Sequence, residues 1–146
     1  MKVSAKGEYA YRAVFELTRH YLSAAEKVIQ LDTIARHQHI PRKYLVQILL
    51  QLKKAGLVGT VRGVKGGYFL KKPPAEITLG QVLELIDGPP VPVSHATTGT
   101  GETDPLQRVL NPVFENIRRS IRQELSLNYE DIYRQSLQNQ SGMYYI

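Results

Sequence analysis

Hydrophobic and polar positions alternate with a helical period along much of the chain. Over residues 4–24, Tyr9, Ala10, Ala13, Val14, Leu17 and Tyr21 share one face of a 3.6-residue repeat. Glu8, Arg12, Glu16 and Arg19 fill the other face, so a long amphipathic helix with a polar outer side is predicted. A short second helix is predicted over residues 31–37, with Leu31, Ile34 and Ala35 inward and residues 37–40 as a turn. A third opens at Pro41, which suits a first turn because an N–H there would have no helical partner. It runs to Ala55 and stops at Gly56. Leu45, Ile48, Leu49 and Leu52 form its inner face, leaving Arg42, Lys43, Val46, Gln47 and Lys53 outward or flanking.

The period then shortens. Residues 57–62 and 68–70 read as two short strands, joined by the glycine-rich turn Gly63, Val64, Lys65, Gly66, Gly67. Thr78 and Gln81 have capping-box spacing and open a helix through Val82, Leu83, Leu85 and Ile86 to Gly88. Residues 88–104 hold three Pro, three Gly and no cation, the pattern of a mobile linker. Asp104 and Pro105 then start a long helix with an apolar stripe of Leu106, Val109, Leu110, Val113, Phe114, Ile117, Ile121 and Leu125. Pro112 should kink that helix, or mark its true start after Asn111. A short helix over residues 129–138 and a tail, 139–146, complete the chain.

The expected fold class is therefore mainly α with one small β-hairpin: a winged helix-turn-helix plus a long C-terminal helix. The expected organisation is a DNA-binding domain at 1–74, a connecting helix and linker at 75–104, a dimerisation helix with a short following helix at 105–138, and a tail at 139–146. In a helix-turn-helix the third helix enters the major groove with its N-terminal residues at base edges.

Composition narrows the chemistry. With 146 residues and 42% hydrophobic content, the chain can bury a core. No apolar run is long enough for a membrane span, and the N-terminus lacks the apolar region of a secretory signal, so a cytoplasmic protein without membrane contact is expected. The absence of Cys excludes thiolate zinc sites, thiolate-held iron–sulfur clusters, disulfides and thiol nucleophiles. Charge is divided by sign. Residues 1–72 carry 14 Lys and Arg against 4 Asp and Glu, whereas residues 73–146 carry 5 Arg against 9 Asp and Glu. Such asymmetry suggests a first half that meets a polyanion, double-stranded DNA being the commonest, the alternative being a solvated basic surface kept for solubility.

On this reading Arg42, Lys43, Tyr44 and Gln47 engage the major groove. Arg42 and Lys43 address phosphates or a guanine, Gln47 an adenine edge, and Tyr44 a phosphate. Arg62, Lys65, Gly66 and Gly67 serve the wing, where glycines allow close backbone approach and Arg suits a narrow minor groove. Val109, Val113, Ile117, Ile121 and Leu125 form a homodimer seam, the alternative being that this stripe covers its own winged helix. No enzyme is indicated, since the glycine turn lacks the GK[ST] ending of a phosphate-binding loop and no nucleophile–base set is apparent. No cofactor or metal is expected. His95, Glu102 and Asp104 make a poor ligand set, and His20, His37 and His39 read as surface or turn residues.

Four segments together resemble the Rrf2 family of bacterial winged-helix regulators. They are residues 4–10 (SAKGEYA), 44–49 (YLVQIL), 52–58 (LKKAGLV) and 61–68 (VRGVKGGY). The resemblance implies a homodimer joined by the long helix on a near-palindromic operator, with repression as the expected sign. Members that carry an iron–sulfur cluster place three Cys where this chain has residues 90–104, which hold none. Glu8 falls where some members supply a further cluster ligand; without thiolates it reads as a helix-start carboxylate. Control is therefore expected from a ligand or partner protein. The ending Tyr144, Tyr145, Ile146 resembles that of the cysteine-metabolism repressors of this family. Its last residue is similar to that of serine acetyltransferase, whose terminal Ile enters O-acetylserine sulfhydrylase (cysteine synthase). The resemblance implies that the tail docks that enzyme; the other reading is that it folds back on its own dimer. A rival function is an adaptor whose tail regulates a metabolic enzyme, with DNA contact secondary.

Overall fold

A computed structural model describes residues 1–23, 25–90 and 104–143, the last three by backbone only. Six helices and one hairpin run in the order α1 (Ala5–Ser23), α2 (Leu31–Gln38), α3 (Arg42–Lys54), β1 (Val58–Val61), β2 (Gly67–Leu70), α4 (Leu79–Asp87), α5 (Pro105–Glu124) and α6 (Tyr129–Met143). A single 3₁₀ turn, Pro74–Glu76, precedes α4.

The molecule is organised around α1. Its fully buried stripe, Ala10, Ala13, Val14 and Leu17, is small enough for neighbouring helices to approach closely. Against it pack Ile34 from α2, Leu45, Ile48, Leu49 and Leu52 from α3, Val82 from α4 and Tyr129 from α6. The inner face expected for α3 is thus the observed one. Tyr129 also donates its hydroxyl to the Tyr11 carbonyl at 3.4 Å. Burial, and to a lesser degree Tyr11, raises its pKa far above the ordinary phenol value.

The local signals act as their chemistry requires. Thr78 and Gln81 close a reciprocal capping box at 3.0 and 3.1 Å. The Asp104 side chain accepts from the Leu106 N–H, with Pro105 in the first turn of α5. Gly56 takes a positive φ of 78° just past α3, and His39 takes 53° in the turn between α2 and α3. Pro41 caps α3 rather than opening it: its carbonyl accepts from Tyr44 and Leu45.

Three expectations change. α5 does not start after Asn111: it runs as one helix from Pro105 through the exposed Pro112 to Glu124. α6 continues to Met143, so residues 139–143 are helical rather than tail. Most consequential, Glu16 does not belong to a polar outer face. It is fully buried under α2, where His37 Nδ1–H donates to it at 2.7 Å and Gln38 Nε2 at 2.9 Å. Arg19 and His20 lie 3.4 and 3.7 Å from Oε1, the oxygen that His37 contacts, while Gln38 takes Oε2. His37 is accordingly not a plain surface residue: it clasps α1 to the helix-turn-helix. The expected linker falls at residues 91–103 outside the described residues, as do His95 and Glu102.

Burial raises the Glu16 pKa, but hydrogen bonds from His37 and Gln38 and the Arg19 and His37 charges outweigh it, leaving the carboxyl below its ordinary value of 4.5. A carboxylate with a depressed folded-state pKa contributes stability that is fully present above its unfolded pKa and is lost as pH falls through the folded one. Glu16→Gln is therefore expected to cost about 1–2 kcal/mol near pH 7 and to flatten the decline of stability below about pH 4.5, read by urea denaturation at several pH values. An unchanged profile would contradict the clasp.

Candidate nucleic-acid interface

α3 buries Leu45, Ile48, Leu49 and Leu52, so helical geometry turns Lys43, Val46, Gln47 and Leu50 outward. All four are exposed. Gln47 has no side-chain partner among the described residues and is free to read a base edge. Val46 and Leu50, 46% and 50% exposed, put apolar surface one turn apart on the same face. Leu50 escaped notice in the sequence because an exposed leucine cannot be told from a core one by composition; only the phase of the buried set reveals it.

The start of α3 is tethered twice. Arg42 pairs with Asp32 of α2 at 2.9 Å across the turn, both side chains more than half exposed. A pair this open is worth little and is screened by salt, so phosphate can compete for Arg42. The Tyr44 ring packs 5.7 Å from that of Tyr9 on α1, with the Lys43 ammonium 6.0 Å from its centroid. Tyr44 is still 41% exposed, which leaves its hydroxyl end available.

The wing is an antiparallel pair with Val58 opposite Leu70 and Val61 opposite Gly67. A third segment joins it: Ile29 and Tyr68 exchange backbone hydrogen bonds of 2.9 and 2.8 Å. Gln30, the residue that caps α2, donates its side-chain N–H to the Val64 carbonyl at 3.2 Å. The hairpin is thereby tied to the entry of the helix-turn-helix. Arg62, Val64 and Lys65 stand exposed around its turn. Gly66 and Gly67 are also required by the wing's own packing. A Cβ on Gly66 would strike the Val61 carbonyl, and one on Gly67 the Ile29 carbonyl. They are glycines so that the wing can close on itself and on residue 29. Gly63, with φ of 114°, is the one whose backbone region favours glycine outright.

Electrostatics favours a polyanion over the whole segment. From residue 33 to 75 there is no Asp or Glu, while Arg36, Arg42, Lys43, Lys53, Lys54, Arg62, Lys65, Lys71 and Lys72 all lie there, every one exposed. None of these cations except Arg42 has a carboxylate partner among the described residues.

Comparison with known proteins agrees with this geometry. A family model, Rrf2, described as an iron-dependent transcriptional regulator, matches residues 3–135. The chain belongs to the Rrf2 family. It is a family of helix-turn-helix DNA-binding transcription regulators, not of enzymes. The chain is 38% identical over 125 residues to Rv1287 of Mycobacterium tuberculosis, a protein named as an HTH-type transcriptional regulator, covering 86% of this chain and 76% of that one. It is 37% identical over 93 residues to CymR of Bacillus subtilis, covering 64% and 65%. Among solved structures, IscR of T. potens superposes with a TM-score of 0.74 at 31% identity, covering 93% of this chain and 88% of that one. CymR of B. subtilis, titled a global cysteine regulator, superposes at 0.72 and 29% identity, covering 92% and 97%.

The iron in the Rrf2 description does not fit this member as a thiolate-held cluster. It has no Cys anywhere in its 146 residues.

Gly67→Ala tests how the wing is held. The added methyl should push residue 29 away, cost about 2 kcal/mol in denaturant unfolding, and speed hydrogen exchange at the Ile29 and Tyr68 amides. Unaltered protection at both amides would show that the bridge does not hold the wing.

Proposed function

We infer that the protein is a homodimeric repressor that binds a near-palindromic operator. The observation that carries this is the pairing of an acid-free cationic face with an unpartnered apolar one. On α5, Leu106, Val109, Val113, Phe114 and Ile117 are 43–67% exposed, and no residue of the helix is fully buried. The stripe does not cover its own winged helix. Among the described residues, the backbone hydrogen bonds that stitch α5 to the rest lie just past its C-terminal end, where the Gly80 N–H donates to the Leu125 carbonyl at 2.9 Å and the Leu79 N–H to the Leu127 carbonyl at 3.0 Å. A continuous stripe this apolar is explained by a second copy of the helix, with Val109, Val113, Ile117, Ile121 and Leu125 along the seam. Large apolar side chains gain about 1.5–3 kcal/mol each on full burial. Twofold symmetry then presents two α3 helices to successive half-sites.

Within each half-site, Gln47 reads a base edge, while Arg42, Lys43, Tyr44, Arg62 and Lys65 contact phosphates or the minor groove, with Gly66 and Gly67 shaping the wing. Control comes from a ligand or partner rather than from a cluster. Tyr144, Tyr145 and Ile146 lie outside the described residues. Their resemblance to the tail of the cysteine-metabolism repressors supports O-acetylserine sulfhydrylase as the partner, and deleting residues 143–146 should abolish its capture.

Gln47→Ala should relax sequence preference at one operator position, costing about 1–3 kcal/mol there, whereas Lys65→Ala should weaken all duplexes alike and reduce the salt slope by about 1. Quantitative gel shifts on matched and scrambled duplexes read both effects. Equal losses on every duplex for Gln47→Ala would overturn its assigned role. Val113→Glu places a charge in the proposed seam and should give monomers with weakened operator binding. Sedimentation velocity showing an intact dimer would remove the seam.

A further inference from the structure

We propose that the cleft between α4, the N-terminal segment and the C-terminal half of α5 binds a small carboxylate with an apolar body. The cleft has a volume of about 640 Å³, within the roughly 300–1,000 Å³ of typical small-molecule sites. Val3, Leu83, Leu125 and Pro89 supply apolar wall, and Arg118 and Arg122 stand one helical turn apart on the α5 side.

Arg118 is the anchor. Its side chain is only 19% exposed, yet its Nε is buried with no hydrogen-bond acceptor. Its one carboxylate partner among the described residues is Glu115, at 2.9 Å to Nη1. A guanidinium that is mostly covered, with its Nε lacking an acceptor, is the group in this wall that gains most from an incoming anion, because much of its solvation is already lost. Arg122 adds a second cation with no ion pair among the described residues. Of the two carboxylates opposite, Asp87 is already engaged by the Ser4 N–H at 3.0 Å and by the Ser4 hydroxyl, leaving Glu84 as the free one. The first-turn N–H groups of α4 are committed to Leu127, Leu125 and Thr78, so the guanidinium and not the helix end receives the ligand.

The position of the cleft gives the site its consequence. Arg118 and Arg122 each follow a seam residue, Ile117 and Ile121, by one position, about 100° around the helix. The cleft therefore flanks the seam and meets it at Leu125 alone. A ligand wedged there braces α5 against α4 and α1 and so sets the separation of the two recognition helices. That effect on DNA binding rests on the regulator reading, whereas ligand binding itself does not.

The test is a ¹H–¹⁵N titration of the full chain with benzoate as probe, compared with benzamide as its neutral analogue and benzylammonium as its cationic one. Benzoate should give saturable shifts at the Arg118 Nε–H and at the amides of Gly80, Leu83 and Leu125, with benzamide weaker by about tenfold. Arg118→Gln and Arg122→Gln should each weaken benzoate by about tenfold, and Arg108→Gln, elsewhere on α5, should not. No saturable shift, equal affinity for benzamide, preference for benzylammonium, or shifts confined to the apolar stripe would each overturn the site. A protein that binds an operator but not benzoate loses only this proposal; one that binds benzoate but no duplex loses only the regulator reading.

Discussion

One face of α1 places four of the other helices. Ala10, Ala13, Val14 and Leu17 let α2, α3, α4 and α6 close around a single rod, and Glu16 is buried on its flank under α2. An ionised carboxylate in that position is tolerable only because His37 and Gln38 of α2 donate to it and Arg19 neutralises it. The result is an orientation lock. The apolar stripe draws the helices together without direction, while the Glu16 clasp accepts α2 in one register. The recognition helix follows from α2 through a short turn whose left-handed residue is His39, so its direction descends from α1.

The wing inherits its placement in the same way. Residues 29 and 30, between α1 and α2, hold the hairpin by two backbone hydrogen bonds and one side-chain bond. Recognition helix and wing are thus referred to the same short stretch of chain. The cations on both are undiluted by any carboxylate from residue 33 to 75. In this member of the family the thiolates of a cluster are absent, and among the described residues α5 is tied by backbone hydrogen bonds at its C-terminal end.

Much of this was legible in the sequence because it is carried by local rules. Helical phase placed the inner face of α3; Thr78 with Gln81 and Asp104 with Pro105 marked helix starts; Gly56 marked an end. What was not legible depends on contacts between distant residues. Glu16 has the phase of an outward residue among Glu8, Arg12 and Arg19, and only the approach of α2, some twenty residues later, buries it. That Gly66 and Gly67 are also fixed by the carbonyls of Val61 and Ile29, which leave no room for a side chain, is a matter of distant contacts that the sequence does not display. Pro112 carries a strong helix-breaking prior that exposure to water offsets. The stripe on α5 was evident; that it lies bare in the single chain, rather than over its own winged helix, needed three dimensions.

The central claim is that a twofold pair of these cationic faces reads two half-sites on one duplex. Selection of bound duplexes from a random pool, at two salt concentrations, tests it most directly. The account predicts enrichment of one inverted repeat at both, its half-site centres separated by one helical turn or a multiple of it, with total binding falling as salt rises. Recovery of no enriched motif at either concentration would contradict it.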